Sequence, residues 1–417
     1  MTSVHSTTQL PLNLEWVRAT FPSVGKEWVF LDNAGGSQIA QPVIERLNQY
    51  LLTSNVQLGA SYAVSQLASQ RLAQANQAAA MFINAADPAE VVMGPSTSLL
   101  LRILASCLSQ TFKSGDEVIV TNCDHEANIT PWLELQRQGI KVKFWLLRPE
   151  TLALDLVDLE NLLSDKTRLV ALTHASNVLG TINPIREIAD LVHRSDALLC
   201  VDGVGYAPHR LIDVQAMDVD FYVFSYYKVY GPHHALLYGK HQHLLPLPSF
   251  NHSFIGKADL PYKLQPGGAN YELSYSTLGI LDYLEQLVPD DNALTQRDRL
   301  SYAFDSISAY EEMLSDRLLS FLLSQPQVKV IGETRCDRQI RVPTVAFTVT
   351  DVDSATVPPR LEPYHIGIRS GDFYAKRLIQ DLGLAAQNGV VRVSLVHYNT
   401  LEECDRLIEQ LEPLLSA

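Results

Sequence analysis

The chain has 417 residues, 47% hydrophobic and 19% charged, which allows a large domain plus a smaller one and argues against general disorder. Its formal net charge of −14 argues against non-specific binding to nucleic acid or to an anionic membrane. The five cysteines, Cys107, Cys123, Cys200, Cys336 and Cys404, show no CxxC spacing, and their odd number argues against a disulfide framework.

A reducing, cytoplasmic setting suits those thiols, with Cys107, Cys123 and Cys200 read as buried small apolar residues. The first residues show neither the basic start nor the apolar stretch of a signal peptide, and no run is long enough to span a bilayer. A soluble protein is therefore expected. Residues 1–30 read as an N-terminal arm, 31–290 as a large domain and 291–417 as a smaller α+β domain, with the arm packing on the small domain or on a partner subunit. Helices are expected near residues 40–53, 66–84 and 300–324. Between the first two and the third, short apolar runs predict buried parallel strands: Glu117–Thr121, Lys141–Leu146, Leu169–Thr173, Leu198–Asp202 and Phe221–Ser225. Amphipathic stretches separate them, such as Ile185–Arg194, opened by Pro184. That alternation predicts an α/β fold, a mostly parallel sheet covered by helices on both faces. Beyond Pro326, strands at Thr344–Val349 and Val390–Leu395 alternate with helices.

Ligands of such sheets sit beyond the carboxyl ends of the strands, and His125, Asn177, Asp202, Ser225 and Lys228 all follow strands there. Four features stand in the order that a pyridoxal 5′-phosphate (PLP) site requires. Met93–Leu100, MGPSTSLL, reads as a hydroxyl-rich loop opening an apolar helix; it suits a phosphate cradle, and a plain helix cap explains it as well. Asp202 ends a strand, where its carboxylate either holds a pyridine nitrogen protonated or caps the next helix. Lys228 follows a buried strand and precedes the Gly231-Pro232 turn; desolvation there makes an amine nucleophilic, although a surface loop lysine fits the same spacing. Arg369, in Ile366–Gly371, is either a two-pronged carboxylate receptor or a structural ion-pair partner.

With those residues in place, the sequence resembles the class V aminotransferases of PLP fold type I, in the branch of the cysteine desulfurases. The likeness runs from Phe30–Ala34 to Val391–Ser394 and is most specific at Asp124–Asn128, Ser176–Thr181, Val201–Gly203 and the lysine segment. It implies a seven-stranded-type sheet, a Schiff base on Lys228, Asp202 under the ring nitrogen and His125 stacked on the ring. It also implies a phosphate held by Ser96, Thr97 and Ser225 with a contribution from Tyr227. Asn177 would lie near the ring hydroxyl and the substrate carboxylate, and Arg369 would receive that carboxylate. Gly267–Asn270 matches a segment that reaches a neighbouring subunit's cofactor, so the likeness implies a homodimer with shared sites and Asn270 at the cofactor. No metal is implied.

Three departures bear on the reaction. Tyr227 stands where the desulfurases usually have a histidine, and Gly205 where a glutamine is common. The stretch Ser370–Lys376 after Arg369 lacks the cysteine that forms a persulfide in many of those enzymes. Cys336, in a polar stretch, is a weak substitute. The expectation is a PLP-dependent lyase or desulfurase-like enzyme on a small amino acid with a leaving group at its β-carbon, such as a sulfur-containing one, with Tyr227, Tyr374 or Asp372 as acid for the leaving group. The alternatives are an aminotransferase or epimerase on the same cofactor, or an inactive scaffold of this fold. The residues choosing the substrate are sought in Asn55–Tyr62 and Asp372–Tyr374.

Overall fold

The structure is a computed structural model that describes residues 12–289 and 293–415. Seven strands form the large sheet: β1 Val91–Gly94, β2 Glu117–Thr121, β3 Lys141–Trp145, β4 Thr167–Thr173, β5 Leu198–Asp202, β6 Phe221–Ser225 and β7 Ala235–Gly239. Their order is β1-β7-β6-β5-β4-β2-β3, with β7 antiparallel to both neighbours and the other pairings parallel. Both faces are buried, and side chains alternate between them with the period of two that a strand dictates. Val170, Leu172, Tyr222 and Phe224 enter one core, whereas Leu169, Ala171, Phe221 and Val223 enter the other. Helix Ile185–His193 covers one face through Ile185, Ile188, Ala189 and Val192, which recur at helical spacing.

The predicted strands are all present, with ends shifted by a residue or two at Lys141–Trp145, Thr167–Thr173 and Val390–Ser394. Met93–Leu100 is corrected. Met93 and Gly94 belong to β1, paired with Leu236 and Ala235, and only Pro95 and Ser96 separate that strand from helix Thr97–Ser109. Pro184 is likewise the cap residue before its helix, not the first helical position.

A second sheet of four antiparallel strands holds β8 Val328–Ile331, β9 Thr344–Val349, β10 Arg369–Gly371 and β11 Val390–Ser394, in the order β10-β11-β9-β8. Residues Val29–Phe30 pair in parallel with Ile366–Gly367, so this part of the arm packs with the small sheet. Helix Gln296–Ser324 opens with a capping box between Thr295 and Asp298. Its first half buries Leu300, Phe304 and Ile307 in the large core, and its second half buries Leu314, Leu318 and Leu322 in the small one. One rigid rod therefore sets the small sheet over the carboxyl edge of the large sheet.

Candidate active site

Residues after β1, β2, β4, β5 and β6 line one cleft. Its walls include Ser96, Thr97, His125, Asn177, Asp202, Ser225, Tyr227 and Lys228, so eight of the expected residues meet in one place. Ser96 caps helix Thr97–Ser109 by accepting from the Leu99 amide at 3.2 Å, and the hydroxyls of Thr97 and Ser225 lie 2.6 Å apart. That helix N-terminus, with its hydroxyls and positive dipole end, suits an anion.

The Asp202 carboxylate is almost fully buried and accepts from the Val204 amide at 2.9 Å. Burial pushes its pKa up to about 6, while the Lys228 charge pulls it down. Gly203 has no Cβ because the Tyr222 ring lies 2.2 Å from where one would sit. Lys228 is buried in the short 3₁₀ turn Tyr226–Lys228, and burial first, then the Arg392 charge, pull its pKa down to about 8. An amine so placed is a nucleophile near neutral pH. Nδ1 of His125 accepts from the Ala127 amide at 3.0 Å, which leaves the proton on Nε2. Burial and the Lys228 charge hold that ring neutral, with its pKa down to about 4. A neutral, oriented imidazole suits stacking on a heteroaromatic ring. Behind it, the buried Asp124 carboxylate accepts from Asn128 at 2.7 Å and from the Thr121 hydroxyl.

Gly205, the departure from the glutamine pattern, has a steric cause. A Cβ there would stand 2.4 Å from the Ala175 carbonyl oxygen, so the loops after β4 and β5 approach as closely as they do only with glycine. Asn177 is left beside the cleft, its Nδ2 donating to the Phe373 carbonyl at 2.8 Å.

Arg392, which the sequence analysis passed over, is the main addition. It lies in β11 beside Arg369 of β10 and is 2% exposed. Its Nη2 reaches Asp32 at 2.7 Å, its Nη1 donates to the Asn177 carbonyl at 3.0 Å, and Phe373 lies flat beneath it with 3.8 Å from Cζ to the ring centre. Its Nε has no partner among the described residues. Arg369 has a side chain 56% exposed and a looser 3.5 Å contact with Asp32. A buried guanidinium in the middle of an apolar strand, Val390–Ser394, was the signal to look for: such a charge requires a partner or a ligand.

Tyr374 packs its ring 5.1 Å from that of His125, and its carbonyl accepts from the Glu126 amide at 2.8 Å. Phe373 and Tyr374 both hold left-handed backbone, φ 52° and 60°, which is uncommon for bulky residues. Asn270 does not line this cleft; it is an exposed cap of helix Tyr271–Ser276. No residue of Asn55–Tyr62 lines it among the described residues. Cys336 is half-buried, donates to the Glu312 carbonyl and has its thiol pushed up to about 11 by burial, which denies it a thiolate at neutral pH. Cys107, Cys123 and Cys200 are buried as expected.

A profile of the family "Aminotransferase class-V" matches residues 29–288 and 295–407. The chain belongs to the class V aminotransferase family. It is 45% identical over 414 residues to an aminotransferase-like protein of Gibberella zeae, covering 97% of this chain and 98% of that one. It is 35% identical over 416 residues to a cysteine desulfurase-like protein of Aspergillus flavus, covering 97% and 91% of the two chains. A cysteine desulfurase structure from Escherichia coli superposes with a TM-score of 0.83 at 27% identity, covering 97% of this chain and 99% of that one. Class V aminotransferases of this desulfurase-like branch are PLP-dependent enzymes, and the cleft suits that group. Its hydroxyls and helix terminus match a phosphate, its buried carboxylate a pyridinium and its lysine an aldehyde. Among the described residues, no helix is long and apolar enough to cross a membrane.

Proposed function

We propose that this class V enzyme is a PLP-dependent lyase that removes a β-substituent, a sulfur-containing one first among candidates, from a small amino acid. The observation that carries the reading is Lys228: a buried amine with its pKa near 8 shares one cleft with the buried Asp202 carboxylate. Bound PLP supplies an electrophilic carbonyl for the amino group and an electron sink for charge developing at Cα. Asp202 keeps the ring nitrogen protonated, and His125 covers the ring face. Asn177 and Arg369 orient the substrate carboxylate, and the buried Arg392 steadies both by holding Asp32 and the Asn177 carbonyl. Lys228 Nζ takes the Cα proton as general base. Tyr227, whose phenol burial keeps protonated, or Tyr374 and Asp372 at the mouth return a proton to the leaving group.

The absence of a cysteine in Ser370–Lys376 supports elimination over persulfide formation, since no thiolate stands in that loop to take the sulfur. A homodimer is part of this reading: Asn270, with the exposed Leu52 and Phe254 (83% and 79%), faces outward where a partner would bury it. A cytoplasmic setting fits the free cysteines.

Product analysis with PLP-loaded protein and L-cysteine or L-cystine tests the reaction. Pyruvate with sulfide, or with a persulfide from cystine, supports the proposal. Alanine with enzyme-bound persulfide would indicate desulfuration, a keto acid with aminated cofactor transamination, and inverted substrate epimerisation; each would refute it.

A further inference from the structure

Tyr227 replaces the histidine that usually precedes the lysine, yet a histidine still touches that position. β6 and β7 are antiparallel neighbours with Ser225 opposite Ala235, and the Tyr226 amide donates to the His234 carbonyl at 2.8 Å. Beyond that bond the chain leaves the ladder through the 3₁₀ turn Tyr226–Lys228 and returns through Gly231 and Pro232, which brings the side chains of Tyr227 and His233 together. Their rings stack face to face, with centroids 4.8 Å apart and planes 10° from parallel. The side chain of His234 turns the other way, into the core, where Nε2 meets the Ser274 hydroxyl at 3.0 Å.

Tyr227 has a second neighbour. A Cβ on Gly36 would stand 3.4 Å from Tyr227 Cδ2, and the Tyr227 carbonyl accepts from the Ser37 amide at 3.1 Å. The ring thus packs beside a glycine and against an imidazole, on the wall of the cleft that holds Lys228. Nζ of that lysine lies 5.8 Å from the Tyr227 ring centre. A tyrosine pivots about χ1 and χ2, so without the exposed His233 ring one face of it would open to solvent.

We propose that His233 is a positioning residue: its ring fixes the Tyr227 ring so that the phenol meets bound PLP in one orientation. The inference rests on the PLP reading above and concerns a residue outside the cleft lining.

PLP-free protein titrated with PLP, followed by visible absorption, tests it. His233→Ala weakens PLP binding roughly 3- to 10-fold, the range of one aromatic pair. His233→Phe keeps the flat ring and stays within about twofold of the unmutated protein. In a Tyr227→Phe background, where the phenol is gone, His233→Ala adds less than about twofold, because the two residues act as one unit. An unchanged thermal midpoint of the PLP-free His233→Ala protein separates this from a folding defect. Wild-type affinity in His233→Ala overturns the inference, as does His233→Phe binding as weakly as His233→Ala, or a full alanine effect without the phenol. If the unmutated protein takes up no PLP, the cofactor reading itself falls, and this inference with it.

Discussion

Lys228, Asp202 and His125 stand at the ends of buried parallel strands and line the cleft, whereas Arg369 of β10 and Phe373 and Tyr374 in the loop after it lie outside that lining, the last two touching Asn177 and His125. The first group is held by the ladder of the large sheet and by burial, which also shifts all three pKa values. The second group is held by a few cross-contacts: Asn177 to the Phe373 carbonyl, Glu126 to the Tyr374 carbonyl, and a guanidinium on a phenyl ring. Arg392 alone belongs to both, since it lies in the small sheet and bonds Asp32 and the loop after β4. The floor of the cleft supplies chemistry common to the family, and the mouth is where a particular reaction is chosen.

Arg392→Ala should break this arrangement most severely. It leaves the Asp32 carboxylate without its closest cation and the Asn177 carbonyl without a donor, which costs about 3 kcal/mol on the scale of broken buried pairs. Urea unfolding measures that loss, and KM for the amino acid should rise while PLP still binds.

Asp202 gives the next effect, read in PLP-free protein. Its folded pKa, about 6, lies above the ordinary 3.8, so the folded state holds a proton that the unfolded state releases. The stability this contributes is fully present below pH ~4 and is lost as pH rises through ~6, by roughly 3 kcal/mol in all. Lys228 acts in the opposite sense: its folded pKa of about 8 is below 10.5, so its contribution is present above pH ~10.5 and is lost as pH falls through ~8. Between pH 4 and 7 the urea midpoint of the unmutated protein should therefore fall relative to that of Asp202→Asn.

Gly205→Gln sharpens the comparison, because it restores the residue common in relatives to a floor that has closed over it. The collision with the Ala175 carbonyl should cost about 1–3 kcal/mol and weaken PLP uptake instead of strengthening it. Smallest of all is Cys336→Ala, which should leave turnover within about twofold, since a protonated, half-buried thiol outside the cleft takes no part.

The floor was legible because its physics is local. A strand buried on both faces must be a short, continuous apolar run, and a charged residue directly after one has little choice but the carboxyl edge of the sheet. His125, Asn177, Asp202 and Lys228 accordingly meet in one cleft. The edge pair β1 and β7 was missed because VVMG has only four residues and because antiparallel pairing on both sides of β7 breaks the strand-helix rhythm. The mouth was legible only in part. Arg369 was singled out as a two-pronged carboxylate receptor, but the more deeply held Arg392, inside the predicted strand Val390–Leu395, was passed over. Left-handed backbone at Phe373 and Tyr374 carries no sequence mark, because neither residue is one that favours it. The stack of His233 on Tyr227 depends on how the chain turns back between β6 and β7, which no local pattern encodes.

The visible absorption spectrum of purified protein, with and without added PLP and beside that of Lys228→Ala, tests the central claim most directly. A yellow band in the unmutated protein that is lost or shifted in Lys228→Ala is the result expected of a cofactor held covalently by this lysine. A band that is absent even after PLP is added, or one that Lys228→Ala leaves unchanged, would contradict it.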